Sequence, residues 1–292
     1  MKLGPLGTDP PKGKRLAKIT FHEALRRRGN CVDEIYLSHY SCGARFPCYG
    51  GGPIPIEKSS TMPETPIPTI LIIGASRGLG HAMAAEFVGK GWHVTGTVRG
   101  SGTPLHDLAQ AHPGAVSIAS VDIVIPEQVA ALRERLAGQV FDIVFVNAGT
   151  TNPDPNQTIG EVSTQDFVDL MVTNALSPMR VVESLVDLVA PDGMIGVMSS
   201  GQGSVANNVV GMRELYRGTK AALNMFMRSF AARHPERPMV VIAPGWVRTD
   251  LGGDAAPLTI ADSVPGVVRV LLAQRGVAGL QYLDYQGRTV PW

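Results

Sequence analysis

Tyr216-Arg-Gly-Thr-Lys220 sets a phenol and an ammonium four residues apart. On a helix that spacing puts both side chains on one face, one turn from each other. An unperturbed tyrosine, with a pKa of about 10, is a poor acid at neutral pH. A neighbouring cation favours the phenolate and brings the group closer to use in proton transfer. Ser199-Ser200 supplies hydroxyls that could donate to a carbonyl oxygen as negative charge develops there, or else form a polar strand-end turn. Asn174 lies in Val172-Thr-Asn-Ala-Leu-Ser-Pro178. Asparagine is a mediocre helix-interior residue, so here it bends the helix, holds a water, or occupies a surface position.

A second constellation lies far upstream. Thr69-Ile-Leu-Ile-Ile-Gly-Ala-Ser-Arg-Gly-Leu-Gly80 runs from a buried strand through a Gly-rich turn into a helix start. Gly74, Gly78 and Gly80 allow a tight turn and close approach to a pyrophosphate, with Ser76, Arg77 and Leu79 beside them. The helix N-terminus adds unpaired N–H groups and a positive dipole end. The spacing is G-x-x-x-G-x-G rather than the commoner G-x-G-x-x-G. In such a site an acidic residue ending the second strand accepts from the adenosine ribose and repels a 2′-phosphate. Here that strand ends Thr97-Val98-Arg99, with no carboxylate, and Arg99 and Arg77 offer guanidinium groups suited to a phosphate. NADP(H) is therefore the preferred cofactor, with NAD(H) the alternative.

Further residues fall into place around that cofactor. Asp122, next to Ile123, follows the third strand and could bond the adenine amino group or cap the next helix. Asn147-Ala148-Gly149 closes the fourth strand with small residues that permit close approach. Lys220 could hold the nicotinamide ribose hydroxyls. In Pro244-Gly-Trp-Val-Arg-Thr-Asp250, Pro244 and Gly245 turn the chain back. Backbone groups near Val247 and the Thr249 hydroxyl could then bond the carboxamide.

The elements that must position these residues are regular from Thr69 onward. Strands are expected at Thr69–Ile73, His93–Val98, Val116–Ser120, Phe141–Val146, Met194–Met198, Met239–Ile242 and Leu280–Leu283. Helices are expected at Gly80–Gly89, Pro104–Gln110, Pro126–Leu136, Thr164–Val189, Glu214–His234 and Ile260–Ala273. Such alternation specifies βαβ units and a parallel sheet covered on both faces. Right-handed crossovers collect the strand C-terminal ends along one rim, where ligands bind, and each motif falls at or near such an end. The expectation is a single α/β domain over residues 67–292, a Rossmann-type doubly wound sheet of about seven strands.

Composition narrows the function classes. Of 292 residues, 44% are hydrophobic and 17% charged, as in a globular protein. No run reaches the roughly 18–20 apolar residues of a membrane span, and the N-terminus lacks the apolar core of a secretory signal, so a cytoplasmic location is the default. The net charge of +1 divides into +5 for residues 1–61 and −4 for the rest. A mildly acidic body argues against nucleic acid as a partner. Cys31, Cys42 and Cys48 all lie in the N-terminal segment, and an odd count at those spacings fits neither a disulfide framework nor a zinc site. No metal is expected.

Residues 1–66 show no sustained period beyond one short helix candidate near Phe21–Arg28. They read as a disordered extension that precedes a favoured true start at Met62, with a basic interaction tail as the alternative.

Taken together, the ordered motifs resemble the short-chain dehydrogenase/reductase family across residues 68–292. The resemblance implies a catalytic set of Asn174, Ser200, Tyr216 and Lys220. Tyr216 would be the acid/base, Lys220 the pKa modulator and ribose ligand, Ser200 the carbonyl stabiliser and Asn174 the holder of a proton-relay water. Ser200 lies sixteen residues before Tyr216, about three more than is common in the family, and Ser204 lies twelve before it. Ser200 is preferred because it directly follows the strand, with Ser199 and Ser204 still open. The longer loop and the C-terminal Leu283-Asp-Tyr-Gln-Gly-Arg-Thr-Val-Pro-Trp292 look like the C-factor-like subgroup. The stretch between Asp250 and Ile260, a substrate lid in the family, is short and implies an open pocket walled by Gln202, Met212, Trp246 and Leu251. The implied activity is NADP(H)-dependent hydride transfer between a small-molecule carbonyl and its alcohol. A cofactor-sensing or interaction protein on the same fold is the alternative, disfavoured because a sensor needs no catalytic acid. Homo-oligomers are common in the family, with Glu214–His234 and Ile260–Ala273 the expected surfaces.

Overall fold

The computed structural model describes residues 66–292. The expectations for residues 1–65, including the three cysteines, the helix near Phe21–Arg28 and the Met62 start, lie outside the described residues.

Seven strands form one sheet: β1 Thr69–Ile73, β2 His93–Val98, β3 Val116–Ser120, β4 Phe141–Val146, β5 Val189–Met198, β6 Pro238–Ala243 and β7 Gly279–Asp284. Their order is β3-β2-β1-β4-β5-β6-β7, and every neighbouring pair is parallel. Strand order reverses between β1 and β4, so their C-terminal ends diverge into a crevice. Ile70 to Ile73 on β1 and all of β6 are buried, as expected of central strands covered on both faces.

The helices are α1 Gly78–Gly89, α2 Pro104–Ala111, α3 Pro126–Arg135, α4 Thr164–Met171, α5 Ser177–Leu185, α6 Glu214–Arg233 and α7 Ile260–Gln274. Two cores follow from their division between the faces. One joins the sheet to α3, α5 and α6 through side chains such as Leu132, Val182 and Met227. The other joins it to α1 and α7 through Met83, Phe87 and Val267. Local sequence sets several helix starts. The Ser163 hydroxyl accepts from Asp166 N at 3.0 Å at the head of α4, and Thr259 forms a reciprocal capping box with Asp262 at the head of α7.

The single helix expected over Thr164–Val189 is four pieces. α4 passes through a π-helical turn, Val172–Leu176, into α5, and a 3₁₀ turn, Val186–Leu188, then leads to β5. β5 also begins five residues before the expected Met194, because the register against β4 shifts between Phe141 and Ile143. That irregularity loops out residues 190–193 while preserving the pairing on both sides.

Candidate active site

The end of β1, the turn after it and the head of α1 form the first wall of a cleft of about 1100 Å³. Gly78 adopts a φ of +57°, a left-handed conformation that side-chain-bearing residues avoid, and no atom lies within 3.8 Å of where its Cβ would stand. Gly80 serves closeness instead: a Cβ there would stand 2.1 Å from the Gly74 carbonyl oxygen and 2.6 Å from Asn147 Nδ2. Asn147 donates to that same Gly74 oxygen at 2.7 Å, locking the turn to the end of β4. The first N–H groups of α1 have no intrahelical partner and no side-chain cap, and Gly78 and Leu79 border the cleft, an arrangement suited to an anion.

At the end of β2, Arg99 extends into solvent with its side chain 76% exposed, 4.0 Å from Asp122. Arg77 is held by Asp250 at 2.8 Å, an ion pair between the Gly-rich turn and the segment after β6. Asp122 divides its carboxylate: Oδ1 accepts from Val124 N at 3.1 Å, and Oδ2 faces Arg99.

The opposite wall comes from β5 and α6. Tyr216 is 6% exposed and Lys220 is 3% exposed, and both border the cleft. Lys220 Nζ donates to the Met198 carbonyl oxygen at 3.0 Å and stands 5.8 Å from the Tyr216 ring centroid. Burial lowers the Lys220 pKa to about 8. Burial also pushes the Tyr216 phenol above its ordinary value, against opposing pulls from a Ser200 hydrogen bond and the Arg213 charge. For this phenol desolvation outweighs both the Ser200 hydrogen bond and the Arg213 charge.

The three candidate serines occupy different surroundings. Ser199 also borders the cleft, but its Oγ is buried and donates to Asn224 Oδ1 at 2.7 Å. Ser204 Oγ is buried and accepts from Asn207 N at 3.1 Å. Ser200 borders the cleft beside Tyr216, and its hydroxyl also accepts from Gln202 N at 3.1 Å.

Asn174 is fully buried at the centre of the π turn and does not border the cleft. Its Oδ1 accepts from Thr150 N at 2.8 Å, and its Nδ2 donates to Thr150 O at 2.8 Å and Thr219 Oγ1 at 3.1 Å. Thr219 in turn donates to the Tyr216 carbonyl oxygen at 2.8 Å. Both amide protons are committed, and the side chain braces the loop after β4 against α6.

Apart from Gly80 and Asn174, every residue expected to bind cofactor or act in catalysis borders this one cleft. Of the expected pocket walls, Gln202, Trp246 and Leu251 border it and Met212 does not. The segment after β6 is folded on itself: Arg248 N donates to Leu258 O at 2.8 Å and Trp246 Nε1 to Gly252 O at 2.7 Å. Sequence reasoning missed Arg213 and Asn224. Their spacing from Tyr216 and Lys220 (i−3 and i+4 on α6) was the available signal.

Fold and cleft together define a dinucleotide-dependent oxidoreductase. The chain belongs to the short chain dehydrogenase family, whose model matches residues 68–257, and within it the chain is C-factor-like. It is accordingly an NAD(P)-dependent oxidoreductase of alcohol and carbonyl groups. C-signal of Myxococcus xanthus is 36% identical over 155 residues, covering 52% of this chain and 92% of that protein. A Burkholderia multivorans structure assigned to the short-chain dehydrogenase/reductases, with NADP bound, is 70% identical at a TM-score of 0.77, covering 78% of this chain and 100% of its own. A carbonyl reductase of Pseudomonas aeruginosa PAO1 in complex with NADP is 32% identical at a TM-score of 0.72, covering 78% of this chain and 100% of its own. Among the described residues, no helix is long and apolar enough to cross a membrane.

Proposed function

We propose that the protein is an NADPH-dependent carbonyl reductase in which Tyr216 is the acid. The observation that carries this reading is a buried phenol and the Ser200 hydroxyl on one wall of a cleft whose other wall is a Gly-rich turn at a helix N-terminus.

In this reading Gly74, Ser76, Gly78 and Leu79 hold the pyrophosphate, Asp122 and Ile123 the adenine, and Asn147 to Gly149 the path between. Pro244, Gly245, Val247 and Thr249 turn the carboxamide, while Lys220 holds the ribose. Arg99, exposed and with no carboxylate at the end of β2, supports the choice of the 2′-phosphate, as does the NADP bound in the Burkholderia and Pseudomonas structures. The bound nicotinamide supplies a hydride to the carbonyl carbon.

Ser200 donates to the carbonyl oxygen as charge builds on it, and Tyr216 gives that oxygen its phenolic proton. A phenol whose pKa burial has raised is protonated at neutral pH, which suits donation and hence reduction. The Arg213 charge eases formation of the phenolate, which regains its proton from solvent. Asn174 positions Tyr216 through Thr219 and touches neither substrate nor cofactor.

NADPH consumption against a panel of aldehydes, ketones, quinones and keto-esters tests this, with NADH and Tyr216→Phe alongside. The mutant should lose about 10²–10⁴-fold in turnover and still bind NADPH. Wild-type rates in the mutant refute the role of Tyr216.

The same proposal includes self-association. α4 leaves Phe167 and Val168 exposed, and α6 leaves Met225 and Phe226 exposed. We assign this apolar α4–α6 face to contact with a second copy. α7, the other expected surface, carries no exposed large hydrophobic side chain.

A further inference from the structure

Arg213 is the one non-glycine residue with positive φ among the described residues, at 62°, and it caps the start of α6 without a side-chain cap bond. Left-handed backbone strains a side-chain-bearing residue, and glycine there would relieve it. The side chain borders the cleft, with its guanidinium carbon 5.2 Å from the Tyr216 ring centroid. Its hydrogen bond is a long one, Nη2 to Thr151 Oγ1 at 3.4 Å.

Nε of Arg213 is buried with no partner among the described residues, and no described carboxylate pairs with the group. The adjacent Glu214 is engaged elsewhere, accepting from Ile159 N at 2.8 Å. Four buried side-chain polar atoms among the described residues lack a partner, and two of them, Arg213 Nε and Gln202 Oε1, belong to residues bordering this cleft. A half-buried guanidinium without a counter-ion, held in strained backbone beside the catalytic phenol, is a site prepared for an anion.

We propose that Arg213 anchors a carboxylate on the substrate, so that the preferred substrates are oxo acids whose carboxylate lies a few bonds from the reacting carbonyl. This rests on the carbonyl-reductase reading above. The planar fork of arginine meets a carboxylate through two parallel hydrogen bonds, which orients the substrate as well as binding it. With the carboxylate on Arg213, the nearby carbonyl oxygen is directed toward Ser200 and Tyr216.

The full-length protein with NADPH is assayed on pyruvate, acetoacetate and levulinate, each against its methyl ester, in wild type, Arg213→Met and Arg213→Lys. Methionine and lysine meet the same left-handed backbone as arginine, so the substitutions add no new strain. At least one acid should exceed its ester in kcat/KM by about tenfold or more, the effect of one or two charge-assisted hydrogen bonds. R213M should bring that ratio close to one, and R213K should keep part of it.

Calorimetric titration of the NADP⁺-saturated protein with unreactive butanoate and butanamide gives a second readout. Butanoate should bind tighter, and only while Arg213 is present. Esters turned over as well as acids in wild type, or an acid-to-ester ratio untouched by R213M, overturns the anchor and leaves the reductase standing. No reduction of any carbonyl, with butanoate still captured through Arg213, sinks the reductase and leaves the anchor.

Discussion

Lys220 stands one helical turn from Tyr216, yet its ammonium bonds to the Met198 carbonyl oxygen at 3.0 Å rather than to the phenol. The lysine is thereby fixed toward the centre of the cleft, where Gly149 leaves room: a Cβ on that glycine would lie 3.2 Å from Nζ. No described carboxylate neutralises it, so its charge is held in the interior at a cost.

That cost makes stability depend on pH. The folded pKa of Lys220 is about 8, below its ordinary 10.5. Between those values the unfolded chain binds more protons, so this contribution is fully present above the ordinary value and is lost as pH falls through about 8. Lys220→Met lacks the effect. Without cofactor, its stability relative to wild type should be greatest at pH 7 and should fall by on the order of 3 kcal/mol toward pH 10.5. Urea unfolding at the two pH values checks this, and parallel curves would contradict it.

Ser199 and Ser200 are adjacent but should fail differently. Ser200→Ala removes a donor at the reacting oxygen and should lower kcat by about 10²–10³-fold, at a stability cost of about 1 kcal/mol for the lost Gln202 N cap. Ser199→Ala strands the buried Asn224 amide oxygen and should cost about 1–3 kcal/mol of stability. Paired turnover and thermal-melt measurements separate the two, and a larger kcat loss in the Ser199 variant would reverse the assignment.

Arg99→Glu places a carboxylate where the 2′-phosphate is expected. The Kd of NADPH should rise by about tenfold or more, since one charge-assisted contact is lost and a repulsion gained, while that of NADH changes little. Equal weakening of both cofactors would remove Arg99 from phosphate recognition.

Asn174→Ala removes three hydrogen bonds at the π turn and should destabilise the protein by about 2–4 kcal/mol. Because the brace reaches Tyr216, kcat should fall while the KM for NADPH holds. A drop in stability alone would mean that the brace does not set the tyrosine.

Much of the architecture was legible because the core faces of a doubly wound sheet are written locally. Runs such as Thr69–Ile73 and Phe141–Val146, buried on both sides, stand out between helical stretches, and both strands occupy the expected residues. The Gly-rich turn was equally legible, since close approach of Gly74, Gly80 and Asn147 leaves no room for larger side chains. Illegible was the break in the helix after Thr164. The apolar pattern runs through it unbroken, and the partners that hold the π turn lie 24 and 45 residues away, at Thr150 and Thr219.

By itself the sequence determined the alternating elements, their order and the presence of a phenol, a lysine and a glycine turn at strand ends, because burial period and turn chemistry act over a few residues. Only the tertiary structure decided that Ser199 is tied to Asn224, that Asn174 braces the loop after β4 against α6, that Arg77 is paired with Asp250, and that Arg213 faces the cleft without a described counter-ion. Those outcomes depend on which groups converge across the sheet, and convergence between distant segments is set by the packing of the two cores.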